Sequence, residues 1–170
     1  RLGERVIVIA TSTGATLATW LATQPHSDKV LAYALISPNF APKDPAAQVL
    51  TWPWAEHFVP LLLGPEHQWH PRNAEQARYW SPRYPVQALL PMMGLVEYVR
   101  ELPLENIQAP LLVIYSPEDK VVSPTATEQA FARFGSPHKQ LLALADTQDD
   151  SHHVLAGRVL SPRDTPRVEE

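Results

Sequence analysis

Cysteine is absent from the 170 residues, which excludes disulfide bonds, thiolate metal ligands and a cysteine nucleophile, and leaves the redox compartment open. An excess of positive charge is lacking as well. With 14 basic against 18 acidic residues and a net charge of −4, the chain offers no basic field to nucleic acid or to an anionic membrane surface. No apolar run approaches the ~20 residues of a membrane-spanning helix, and there is no internal repeat or low-complexity segment. The chain also has no signal-like opening. It starts at Arg1, without a Met and almost directly on an apolar run, which reads as a fragment or processed form lacking upstream sequence. The compartment is otherwise open, with the cytoplasm favoured.

What is present is one domain's worth of chain with enough apolar content for a core, 45% of residues. Proline is abundant, 18 residues, about twice the usual share of about 5%, and it concentrates between Pro38 and Pro110. The β-branched run Val6-Ile7-Val8-Ile9 predicts a strand buried on both faces, as in a parallel sheet. It ends in Ala10-Thr11-Ser12-Thr13-Gly14. From there Leu17, Trp20 and Leu21 recur at helical spacing among alanines. A serine therefore sits on a very tight strand-to-helix turn. Such a turn thrusts a nucleophile clear of the sheet and calls for small residues two before and two after it, here Ala10 and Gly14. The helix N-terminus would favour developing negative charge, with the N–H of Thr13 as an oxyanion donor. The same three residues, Thr11-Ser12-Thr13, also suit a plain N-cap cluster.

Val30 to Ile36 predicts a second buried strand, and the βαβ unit so formed implies a right-handed crossover in a parallel sheet. Residues 38–108 show a different pattern. The segment has short amphipathic pieces at 46–50, 55–63, 74–79 and 85–102, holds Trp52, Trp54, Phe58, Trp69 and Trp80, and reads as a helical cap without strands. Its aromatics either pack the cap's own core or together wall an apolar pocket, for which Trp52, Trp54 and Phe58 are the candidates. Strands resume at 109–115 and 139–144. Between them, Ser123-Pro124 opens a helix that stops near Gly135. Residues 161–170, polar with two prolines, are expected to fray.

In a parallel sheet all carboxyl ends lie together, so Ser12, Asp119 and one of His152 and His153 can meet. Their order, Ser, acid, His, is that of the α/β-hydrolase triad and of neither common protease order. Glu118 is a rival acid, and Pro117-Glu118-Asp119-Lys120 is also ordinary turn chemistry. His67-Gln68-Trp69-His70 has metal-like spacing without a convergent carboxylate or thiol, so no metal is assigned. The first turn lacks Gly-x-Gly-x-x-Gly, which sets a nucleotide-binding reading aside.

On Ala10 to Gly14, Pro110 to Val122 and His153-Val154-Leu155, the sequence resembles the carboxyl-terminal part of an α/β-hydrolase of the serine esterase and lipase branch. The resemblance implies a truncated α/β-hydrolase fold: a parallel sheet of about four strands with flanking helices and a helical cap insertion. The core would comprise 1–37 and 109–160, the cap 38–108 and the tail 161–170. It favours Asp119 over Glu118 and His153 over His152. It implies Ser12 as nucleophile, His153 as base and Asp119 as the group orienting the imidazole. Ala10 departs from the family's usual glycine, and the family's first strands, with the loop giving a second oxyanion N–H, are absent. The implied activity is hydrolysis of carboxylic esters with apolar acyl groups through an acyl-enzyme, without cofactor. The alternative is a catalytically impaired half-fold that self-associates through the Val6–Ile9 strand edge.

Overall fold

The apolar run forms β1 (Val6–Thr11) in the computed structural model, which describes residues 3–170. Arg1 and Leu2, the start of the expected core segment, lie outside the described residues. With β2 (Val30–Ile36), β5 (Leu111–Tyr115) and β6 (Lys139–Ala143) it makes a four-stranded parallel sheet in the order β1-β2-β5-β6. Thr11 stands opposite Ile36, and Ile36 opposite Ile114. This register makes the strands end level, so the loops after them all emerge at one edge.

The helices α1 (Thr13–Ala22) and α5 (Pro124–Arg133) belong to the main core. Ala15 and Ala18 of α1 pack with Tyr33, Leu35, Val113, Phe40 and Phe134. The start of α5 is set by Ser123, whose hydroxyl accepts the N–H of Ala126, and by Pro124 at the first helical position. The helix ends at Arg133, just short of the expected stop. Gly135 is demanded by a close approach, because a Cβ there would collide with the carbonyl of Glu105.

Three expectations need correction. β1 is not buried on both faces: Ile7 is 63% and Ile9 72% exposed. β1 is an edge strand, and among the described residues nothing packs over the outer side of its Ile7 and Ile9. The cap is not strand-free either. Residues 38–108 fold as α2 (Ala55–Leu63), β3 (Glu66–Gln68), α3 (Ala74–Tyr79), β4 (Arg83–Pro85) and α4 (Leu89–Glu101), with β3 and β4 in an antiparallel pair. Leu50, Ala55, Val59, Val86 and Met93 form a second core there, and α4 bridges to the first through Val99.

Finally, 161–170 does not fray. It forms α6 (Thr165–Glu169), and Val168 packs on the sheet's second face with Ile36, Ile114, Leu144 and Leu155. The polar composition that suggests fraying is used internally. Ser161 donates to the carbonyl of Val154, and Asp164, wholly buried, accepts the N–H of Gln148 and a guanidinium N–H of Arg167.

Burial alone would raise the pKa of Asp164, but the hydrogen bonds from Gln148 and Arg167 and the nearby charge of Arg163 outweigh it and hold the carboxyl below its ordinary value. A carboxyl lowered in the folded state stabilises fully above its unfolded value of about 3.9 and loses that contribution as pH falls through the lowered one. Urea midpoints are therefore expected to fall as the pH drops below about 4. Asp164→Asn should be less stable at neutral pH and show a flatter acid limb.

Candidate active site

β1 cannot run on past Thr11, and the reason is local. Ser12 adopts φ 51°, ψ −125°, a left-handed conformation that costs a non-glycine residue on the order of 1–3 kcal/mol. Hydrogen bonds on both sides hold it there. Its N–H donates to the carbonyl of Ile36 at 2.9 Å, and its own carbonyl accepts the N–H of Ala15 at 3.0 Å and of Asn39 at 3.2 Å. Ser37 at the end of β2, Asp146 beyond β6 and His152 share positive φ, as does Trp54 in the insertion. Strain is thus concentrated where the strands end.

One line of polar contacts runs through this edge. Nε2 of His153 lies 3.0 Å from Oγ of Ser12, and its Nδ1 lies 2.8 Å from Oδ2 of Asp119. The tautomer that satisfies both carries its proton on Nδ1, donating to Asp119 and accepting from the serine hydroxyl. Asp119 is buried, and its Oδ1 accepts the N–H groups of Val121 at 2.8 Å and Val122 at 2.9 Å. The acid loop is itself tied down. Lys43 N–H donates to the carbonyl of Val121 at 2.9 Å, Ser123 N–H to that of Ala41 at 2.8 Å, and Lys120 N–H to that of Ser151 at 2.9 Å.

The rival residues stand to one side. Nδ1 of His152 is 2.9 Å from the Thr147 hydroxyl and 3.7 Å from Glu118, whose carboxylate accepts the N–H of Asp146. Thr13 is the first residue of α1, so its N–H precedes every intrahelical acceptor, and its hydroxyl accepts from Nδ2 of Asn39 at 3.3 Å. His67 stacks on Tyr84 in the β3–β4 hairpin, centroids 5.2 Å apart.

Beside Ser12 lies a cavity of about 290 Å³, lined by Thr11, Ile36, Ser37, Trp80, His153 and the adjoining Val154 to Ala156. The expected pocket aromatics do not line it. Trp52 and Trp54 are 62% and 73% exposed, and Phe58 packs on the cap's own core. Trp80, immediately after α3, takes their place. Sequence reasoning counts it only among the cap aromatics, because nothing in its spacing tells which cap residue folds back over the sheet. It misses Ser37 and Asp149 altogether. Ser37 donates from its hydroxyl to the carbonyl of His153 at 2.7 Å. Asp149 accepts that residue's N–H at 3.1 Å. A larger groove of about 440 Å³ runs between α4 and α5, lined by Glu97, Arg100, Glu101 and Arg133, away from the serine.

A parallel sheet whose level carboxyl ends carry a strained serine, a buried aspartate and a histidine between them defines an α/β-hydrolase. The family model described as serine aminopeptidase, S33, matches residues 1–147, and the chain belongs to that family. Among solved structures the fold is similar to one reported for the metagenome-derived lipolytic enzymes LipS and LipT, with TM-score 0.67 and 21% identity over 98% of this chain and 62% of that one. It is similar also to the monoacylglycerol lipase of Paleococcus ferrophilus, with TM-score 0.63 and 20% identity over 84% of this chain and 59% of the other. A monoglyceride lipase variant from Saccharomyces cerevisiae gives TM-score 0.67 and 12% identity over 98% and 59%. The chain spans about 60% of the length of these structures. A search of curated protein sequences gives no match.

The turn around Ser12 shows one more departure from expectation. A Cβ added at Gly14 would meet nothing within 4 Å, so crowding does not require glycine there in this chain. Gly14→Ala is expected to fold normally and to raise stability by up to about 0.5–1 kcal/mol, the helical cost of glycine, as read by urea denaturation.

Proposed function

We propose that the chain is a serine hydrolase of carboxylic esters with apolar acyl groups, working through an acyl-enzyme on Ser12. The observation that carries this reading is the unbroken contact from Asp119 through His153 to the Ser12 hydroxyl. A serine hydroxyl is a weak nucleophile near neutral pH and needs a base within hydrogen-bond reach. In this mechanism His153 takes the proton as Oγ bonds to the acyl carbon, then gives it to the leaving alcohol as the ester C–O bond breaks. Water repeats the sequence to release the acid. Asp119 holds the imidazole in its reactive tautomer and stabilises the imidazolium. The N–H of Thr13 stabilises the oxyanion.

The substrate class rests on the cavity. Ile36, Trp80, Val154, Leu155 and Ala156 make its wall largely apolar, and its volume of about 290 Å³ lies at the small end of ligand sites. The similar structures described as lipolytic and monoacylglycerol lipases support ester rather than peptide substrates. With p-nitrophenyl esters, short acyl chains should be hydrolysed ahead of long ones. Ser12→Ala should lose at least about 10³-fold in kcat. Trp80→Ala should shift the preference toward longer acyl groups. Equal turnover by the Ser12 variant would overturn the proposal.

A second reading has one observation behind it. The exposed Ile7 and Ile9 lie on an edge strand, and an open apolar edge is a template for pairing with another chain. With a single oxyanion donor assigned, turnover on the order of 10²–10³ below a complete site is compatible with such an assembly. Sedimentation at micromolar concentration should then show a discrete oligomer, and a strict monomer would discard this reading.

A further inference from the structure

Asp149 is buried as deeply as Asp119, with its side chain only 1% exposed, yet it lies outside the line from Asp119 to Ser12. Its contacts are all directed at the histidine loop or the cap. Oδ2 accepts the N–H of His153 at 3.1 Å, the N–H of Val154 at 3.0 Å and the hydroxyl of Ser151. Oδ1 accepts from the guanidinium of Arg72, a cap residue 77 positions earlier in the chain. Burial alone would raise this carboxyl, but Ser151, the two backbone N–H groups and Arg72 together hold it below its ordinary value, so it is a carboxylate at neutral pH.

The loop needs such an anchor. His152 sits at φ 54°, and the chain between Asp149 and His153 turns back on itself through the N–H of His152 donating to the carbonyl of Asp149 at 2.7 Å. Left to itself, a strained turn of this kind does not hold one side chain to within a fraction of an ångström. Asp149 grips the N–H of His153 while Ser37 grips its carbonyl. Removing the carboxylate leaves two backbone donors without partners, the N–H groups of His153 and of Val154 next to it.

Arg72 adds the cap to this arrangement. Its N–H donates to Oε1 of the buried Gln76 at 2.8 Å, and the neighbouring Asn73 donates from Nδ2 to the carbonyl of Val159 at 2.9 Å. The same short segment ends at Trp80, in the cavity wall. One piece of the cap therefore touches the site twice, behind the histidine through Arg72 and in front of the serine through Trp80.

We infer that Asp149 is a positioning residue for His153, and that its ion pair with Arg72 makes the histidine's placement depend on the seating of the cap. The inference rests on the serine hydrolase reading for its kinetic consequence and on geometry alone for its structural one. A misplacement of about 1 Å in a reacting group costs on the order of 10²-fold in rate.

The test compares Arg72→Met, Asp149→Asn and Asp149→Ala with the unaltered chain. Glu66→Gln, which breaks the exposed Arg83–Glu66 pair in the same cap, serves as control. Amide exchange at His153 and Val154, monitored by NMR, should quicken by about tenfold or more in Arg72→Met and further in Asp149→Ala, while Glu66→Gln leaves it unchanged. On a p-nitrophenyl ester, kcat should fall about tenfold in Arg72→Met and on the order of 10²-fold in Asp149→Ala, with KM within about threefold. Asp149→Asn, which keeps a carbonyl acceptor for the two N–H groups, should recover part of the loss. Unmoved exchange at His153 and Val154 in both Arg72→Met and Asp149→Asn overturns the inference, whether or not the chain turns over esters. Failure of the hydrolase reading looks different: the unaltered chain and Ser12→Ala would then show equal ester turnover. Loss of folding in Asp149→Ala leaves the decision to Arg72→Met and Asp149→Asn.

Discussion

Everything at this site depends on the backbone of Ser12 being held in a conformation that an L-residue avoids. The sheet supplies the force. The N–H of Ser12 extends the β1–β2 ladder by one more bond to Ile36, and its carbonyl at once becomes the first acceptor of α1 while also taking the N–H of Asn39. Strand, helix and the loop after β2 are all bonded through this one residue, and those bonds hold its strained backbone in place. The hydroxyl is left above the sheet edge with a histidine 3.0 Å away.

That histidine is placed by a different principle. Ser12 is fixed by regular structure on both sides, whereas His153 sits in a loop with little regular structure and gains its position from side chains that bind its backbone. Asp119 orients the ring, Ser37 takes the carbonyl and Asp149 the N–H. Two buried carboxylates thus serve one imidazole, one through the ring and one through the main chain. Each accepts at least three hydrogen bonds, and Asp149 an ion pair besides, which offsets part of the cost of burying it.

Residues 38–108 touch the sheet edge at defined points and do not form a general apolar cover over it. Their large exposed aromatics, Trp52 and Trp54, stand away from the serine, and their core is their own. Asn39, Ala41 and Lys43 tie the start of this stretch to Ser12 and the acid loop, and the segment from Arg72 to Trp80 reaches the sheet edge with one charge and one ring. The open side of β1 is the counterpart: Ile7 and Ile9 have the composition of a buried strand without the cover that such a strand usually has.

Much of the architecture is legible in residue order alone. β-branched runs and helical spacing are local signals, so Val6–Ile9, the turn at Ser12, the βαβ unit and the helix opening at Ser123-Pro124 can be read directly. Parallel topology comes from a crossover helix between strands, and it places Ser12, Asp119 and the histidine pair at one edge. Three things cannot be read this way. Which of Glu118 and Asp119 meets the imidazole, and which of His152 and His153 meets the serine, turns on one-residue differences in backbone direction, including a positive φ at His152. Which aromatic of the cap reaches the cavity depends on how a 71-residue insertion, 38–108, folds back. Whether a polar tail frays depends on finding partners for Ser161 and Asp164 in the loop that precedes it. Residue order was enough to specify the elements and the edge at which they meet, because both arise from near-neighbour sterics and hydrophobic period. The partners of each buried polar group came from the assembled fold alone, because hydrogen bonds between residues as far apart as Arg72 and Asp149 leave no periodic mark in the chain.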